Sequence, residues 1–286
     1  MTKVVRCTPA QAAKTYEYLS QFVRFEAEPK LTVAAVFARC CLATHPAFEL
    51  DAARAAEEAA TLARAALDHP DRARLDLDPL LLVSCHAVLA DKGIKVAPLT
   101  ELLAEVARAF VALPPDLRKM GRVRHVASLL ADCGFAVKAD PPGKEVLELT
   151  KTPSKMLNAS VQTLTELVDH LSVDKTELST DLTVMLALTA LGELRNYRVD
   201  LGAKLLRLVV ARGQHCEELE EGMNFIALQR RRNGAYGFYN PFQGEESAEK
   251  MEKAFFLPMT LNAAWLFRTE AANLARWRRS AQGGVP

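Results

Sequence analysis

Aromatic residues are scarce in this chain, at 7% of the sequence. That leaves little material for an aromatic-lined cavity or a base-stacking platform. An excess of either charge is also missing: 36 basic residues face 35 acidic ones, a net of +1. An extended nucleic-acid surface normally shows as a basic excess, so the balance argues against one and leaves room only for a local basic patch. No apolar run approaches the length of a membrane span. The opening MTKVVRCTPAQAAKTYEYL has no apolar stretch of the secretory type and little Arg or Ser. A leader removed before residue 1 would leave organellar residence open. Cysteines stand at 7, 40, 41, 85, 133 and 216, with no C-x-x-C pair. They read as small buried hydrophobes in a reducing intracellular compartment, cytoplasmic or mitochondrial or of another organelle.

Chemical templates are missing too. The histidines at 45, 69, 86, 125, 170 and 215 show no metal-ligand spacing. Neither phosphate-loop glycine pattern is present, and no G-x-S-x-G elbow occurs. Cys85 and His86 are sequence neighbours on an apolar helix, so their side chains diverge and cannot form a nucleophile pair. His86 reads as a hydrogen-bonded core histidine. Asp76-Leu77-Asp78 suggests paired carboxylates, but Asp78 before Pro79 is an ordinary helix start. His215-Cys216 precedes Glu217, Glu218, Glu220 and Glu221, an acidic first turn suited to the positive end of a helix. No catalytic residue, cofactor or metal is therefore expected.

What is present is helical periodicity. Half of the residues are hydrophobic and a quarter charged, enough for a substantial core. Leu99, Leu102, Leu103, Val106, Phe110 and Leu113 form one apolar stripe, stopped by Pro114-Pro115. Leu157, Val161, Leu164, Leu167, Val168 and Leu171 form another. Segments 79–90, 182–192 and 254–267 are apolar nearly all round and should be buried on every side. More buried helices at 31–44, 79–91 and 178–195 each precede a half-polar one, at 51–68, 99–113 and 200–212. About eleven helices are expected, and no strand.

One phrase recurs. Leu89-Ala90-Asp91-Lys92-Gly93-Ile94-Lys95-Val96 and Leu130-Ala131-Asp132-Cys133-Gly134-Phe135-Ala136-Val137 share L-A-D-x-G-[I/F]-x-V. Looser copies start at Leu42 and Leu191. A period near 40 residues suggests stacked antiparallel helical hairpins, an all-α solenoid. Gly93 and Gly134 should take positive φ as helix caps, with hairpin turns near 45–50, 92–98, 134–140 and 195–199. The prolines and glycine of 138–156 mark it as a linker between N-terminal hairpins (1–137) and C-terminal hairpins with a basic tail (157–286).

With its Leu-Ala-x-x-Gly helix ends, the pattern resembles the octotricopeptide and RAP-associated helical repeats of organellar proteins. That resemblance implies RNA binding or service as a subunit of an organellar ribonucleoprotein or respiratory complex. A second likeness concerns Gln229-Arg230-Arg231-Arg232-Asn233-Gly234-Ala235-Tyr236-Gly237-Phe238. It is similar to the Q-x-x-x-G-x-[F/W]-G turns of terpene cyclases and prenyltransferase β-subunits, and implies a closed α/α toroid. The chain departs from those enzymes in having no D-x-D-D motif and no evident zinc ligand set.

The one basic and aromatic region comprises Arg230, Arg231, Arg232, Tyr236, Phe238 and Tyr239, with Arg276, Trp277, Arg278 and Arg279 in the tail. The triplet reads as the end of a helix, where cations suit the dipole. The same residue types anchor interfaces and grip phosphates. These positions are the expected contact surface, for other protein subunits first and RNA as the alternative. The expected function is a non-enzymatic helical-repeat scaffold or assembly subunit. The alternative is a toroidal enzyme or a small-molecule-binding protein with a central cavity.

Overall fold

A computed structural model of the chain describes residues 6–25, 28–71, 75–138, 140–141, 144–174, 177–237 and 248–281. Among them there is no strand, and the fold is all-helical. The elements are α1 (Pro9–Ser20), α2 (Pro29–Ala43), α3 (Ala52–Asp68), α4 (Pro79–Ala90), α5 (Ala97–Val111), α6 (Pro115–Arg118), α7 (Gly121–Asp132), α8 (Lys144–Lys151), α9 (Val161–Val173), α10 (Thr180–Arg195), α11 (Val199–Ala211), α12 (Glu217–Leu228), α13 (Ala248–Met251) and α14 (Leu257–Ala281). A 3₁₀ helix covers Pro153–Asn158, and a π-helical turn, Glu252–Phe256, joins α13 to α14. The helices beyond the expected eleven are the one-turn α6 and α13 and the two-turn α8, too short to show a period.

Local chemistry places the helix ends. Thr8 and Gln11 make a reciprocal capping box in front of Pro9: the Thr8 hydroxyl accepts from Gln11 N–H, and the Gln11 side chain accepts from Thr8 N–H at 2.8 Å. Asp78 caps α4 by accepting from Leu80 N–H at 3.0 Å. The repeated phrase closes helices in one way. Gly93 has φ +74° and Gly134 φ +90°. Ile94 N–H reaches Leu89 O (3.1 Å), and Phe135 N–H reaches Leu130 O (3.0 Å). Turns fall at all four expected places. Yet the same closure recurs after α11, where Gly213 has φ +68° and Gln214 N–H reaches Val209 O, and no copy of the phrase stands there. At the copy beginning with Leu191, Tyr197 takes the left-handed position at φ 62°. The phrase thus encodes a helix stop, and a regular period does not emerge from the structure.

The chain divides into two compact units. One comprises Met1–Gln21, Cys41–Asp51 and Leu178–Pro286; the other comprises Phe22–Cys40 and Ala52–Glu177. Segment 138–156, expected as a linker, holds α8 and part of the 3₁₀ helix. Its prolines bound α8 without entering it, and Val146 and Leu149 are buried. The chain passes between the units at 21–22, 40–41, 51–52 and 177–178.

In the second unit α4 packs on α5 and α7, α3 on α5, and α7 on α9. Leu82, Leu89, Leu99, Leu103, Leu130, Leu164 and Leu167 fill its core. Arg39 on α2 is fully buried and forms a two-pronged pair with Glu58 on α3, Nε to Oε2 at 2.6 Å and Nη2 to Oε1 at 2.5 Å. Cys40 and Cys85 lie with sulfurs 3.5 Å apart, both buried and both in the thiol form. Leu157, read as part of an apolar stripe, lies before α9 in the 3₁₀ helix and is 62% exposed.

In the first unit α10 and α11 pair, α11 packs on α14, and α12 packs on α10 and α11. Leu186, Leu194, Leu205, Leu206, Val209, Met223, Leu257 and Leu266 are buried there. Arg6 reaches both Glu220 of α12 and Glu270 of α14. Arg268 is buried and donates to the Thr44 hydroxyl at 2.7 Å.

Candidate functional site

Residues 229–237 follow the end of α12 and fold into a tight hairpin in the first unit. The chain reverses because Arg231 N–H donates to Ala235 O (2.8 Å) and Gly237 N–H to Gln229 O (2.9 Å), leaving Arg230 and Tyr236 as an antiparallel bridge. Asn233 holds the tip by accepting from Ala235 N–H with its side-chain oxygen at 3.1 Å. The arginine triplet therefore lies beyond the helix, not in its last turn as expected.

Two supports fix this hairpin. On one side lies α1. Thr15 donates to Gly234 O at 2.8 Å. Gly234 has φ +98°, and a Cβ there would stand 2.5 Å from the carbonyl oxygen of Lys14. Only glycine permits both that backbone conformation and that approach. On the other side lies the stretch of the π-turn and α14. Tyr236 N–H donates to Thr260 Oγ1 (2.9 Å), which in turn donates to Phe256 O. The Arg231 guanidinium sits over the Phe256 ring, 4.1 Å from its centroid. A π-turn commonly marks a functional position, and this one supplies Phe256 beneath Arg231 and Glu252 to accept from the Tyr18 hydroxyl.

The expected contact residues divide by role. Arg230, Arg231 and Arg232 are exposed, and among the described residues none forms an ion pair. Tyr236 is 2% exposed and packs edge-on against Phe267. It is a core anchor for the hairpin rather than part of the exposed surface: its phenol lies buried inside the unit, next to the Cys7 thiol. Burial pushes both the Tyr236 phenol and the Cys7 thiol up, so both stay protonated and uncharged near neutral pH. Phe238 and Tyr239 lie outside the described residues. Arg276, Trp277, Arg278 and Arg279 continue helix α14, and their side chains are likewise outside the description.

Sequence reading missed α1 altogether. A concavity of about 370 Å³ lies between Lys14 and Arg230–Arg232. A second, of about 450 Å³, is lined by Lys14, Glu17, Tyr18, Gln21, Arg232 and Asn233. Gln11, Lys14, Tyr18 and Gln21 recur at three- and four-residue steps, so they share a face of α1. That spacing was visible in the sequence, but the contact between Thr15 and Gly234 spans 219 positions and was not. Guanidinium groups stay charged at any physiological pH. The site can bind and orient an anion; it presents no thiolate or paired nucleophile and base.

The second unit holds a separate buried polar group. His125 Nδ1 and Asp169 Oδ1 are 2.8 Å apart, tying α7 to α9, and Glu166 accepts from Gly121 N–H at 2.7 Å. Arg124 is 5% exposed and donates to Asp140 O. Burial holds the His170 imidazole below its ordinary value, with Arg124 adding to the effect and Asp174 opposing it. His86 is half-buried and is also held low by burial.

Among the described residues, no cluster of three or more His, Cys, Asp or Glu is arranged to hold a metal, and no helix is long and apolar enough to cross a membrane. No protein-family profile, no curated protein and no solved structure matches the chain.

Proposed function

We propose that this chain is a non-enzymatic helical scaffold, a subunit of a larger assembly, which docks an anionic partner on the basic hairpin of its first unit. The observation that carries the reading is the contrast between a rigid backbone and unspent charge. Hydrogen bonds from two sides, a wedged glycine and a buried tyrosine hold residues 229–237. The three arginines at its tip are exposed and unpaired among the described residues. Cations held on an ordered loop bind with less ordering cost than cations on a flexible one. The organellar ribonucleoprotein or respiratory complex implied by the repeat resemblance remains the kind of assembly proposed.

The test is the native size of the tagged chain in a cell lysate. The wild type is expected to migrate far above its own 31.4 kDa. The charge-reversed R230E/R231E/R232E protein is expected to shift toward the monomer, with an unchanged melting curve. Migration of both proteins as monomers would overturn the reading.

A further inference from the structure

The two concavities beside the hairpin share Lys14 and Arg232 in their linings, so they adjoin along α1 and together make a groove. Its ends differ in charge. The end by Arg230 and Arg231 carries four cations, with Lys14 and Arg232, and no carboxylate. The far end adds Glu17, Gln21 and Asn233 to the two shared cations. An elongated, open groove suits a linear chain better than a small anion, which would need to be enclosed.

Four observations select the kind of chain. Glu17 is exposed within the groove, where it repels a phosphate backbone that carries charge at every step. Tyr18 is the aromatic residue of the lining, but it is buried and its hydroxyl is committed to Glu252, so no free ring face remains for base stacking. Gln21, by contrast, carries an amide able to donate to and accept from a peptide backbone, and Asn233, whose oxygen holds the turn, keeps its amide N–H groups to donate. Carboxylates meet guanidinium groups in two-pronged pairs, and Arg231, braced on Phe256, is already oriented.

We propose that the groove binds an extended acidic peptide segment of a partner protein. Its carboxylates lie on Lys14 and Arg230–Arg232, and its neutral or amide-bearing continuation runs past Gln21 and Asn233. The proposal rests on the docking role argued above and adds the chemistry of the occupant.

The experiment is fluorescence anisotropy on the full chain with three labelled probes: a short peptide with glutamates at the first few positions and neutral residues after them, the same composition with the glutamates spread evenly, and an oligouridylate of similar length. The block peptide should bind tightest. R230E/R232E should weaken it at least tenfold, whereas the matched reversal R64E/R108E, on exposed residues of α3 and α5, should change it less than twofold. Equal losses in both variants would show bulk charge attraction and overturn the site. Tighter binding of the oligouridylate would overturn the peptide in favour of RNA. Absence of any binding by the block peptide, alongside a lysate size shift that still depends on the arginines, would refute the acidic occupant and leave the scaffold reading intact. A melting curve for each variant checks that the hairpin reversal leaves the fold unchanged.

Discussion

At the scale of single residues, Gly234 decides whether the hairpin can sit on α1. Its positive φ costs a non-glycine residue about 1–3 kcal/mol. A Cβ would also meet the Lys14 carbonyl, a backbone atom that cannot turn away. Gly234→Ala is therefore expected to lower stability by about 2 kcal/mol or more, read from urea unfolding. It should also loosen the hairpin, seen as faster amide exchange at Arg231 and Gly237. A variant with unchanged exchange would show that α1 yields easily and that the hairpin is not held there. Arg231 is the opposite case. Its guanidinium is exposed above the buried Phe256 ring, so Arg231→Ala should cost about 0.5–1 kcal/mol and act chiefly on binding. Chemistry of this kind is legible from sequence only in part. An arginine triplet ahead of Asn-Gly announces a charged turn. Nothing in it announces that Tyr236 points inward, because an aromatic two residues beyond a turn fits either face.

Among the elements, α2 and α3 are joined by a buried two-pronged ion pair. Arg39 is fully buried, and Glu58 supplies both carboxylate oxygens to it. Removing the acid takes a two-pronged ionic partner away from a buried guanidinium, at a cost of about 3–5 kcal/mol. Glu58→Ala is expected to lose that much stability in chemical denaturation, and Arg39→Met/Glu58→Leu to recover most of it. If the double variant is as unstable as the single one, the charge is not the cause. Helix positions were largely visible beforehand, because apolar stripes and proline stops are local features. The buried and half-polar helices expected at 31–44, 51–68, 79–91 and 99–113 match α2 to α5 within a few residues. The repeated phrase illustrates the limit of that reading. Leu, Ala, Gly and an apolar residue in that order are what any αL-type helix closure favours, so a shared cap looks like a shared repeat. Tyr197 in the glycine position and Gly213 without the phrase separate the two.

For the molecule as a whole, acid should weaken folding. Burial holds His170 below its ordinary 6.5, and His86 likewise. An unfolded chain therefore takes up more protons than the folded one in the window below 6.5, so stability rises with pH across that window and is complete above it. Urea midpoints at about pH 5.5 and about pH 7.5 should differ, with the lower value in acid, and His170→Gln should reduce the difference. An unaltered difference in that variant would place the sensitivity elsewhere. The division of the molecule was the least legible feature. Composition drew attention to the prolines of 138–156, whereas the compact units are set by long-range packing, and one of them is assembled from three separate stretches of chain. That discontinuity governs the order of events during synthesis. α1 is made well before Gly234, which it grips and which follows Thr15 by 219 positions. The second unit ends at Glu177 and can close while translation continues. Until the stretch around Gly234 emerges, α1 waits without its native neighbours, so it is the helix that most needs a chaperone's cover.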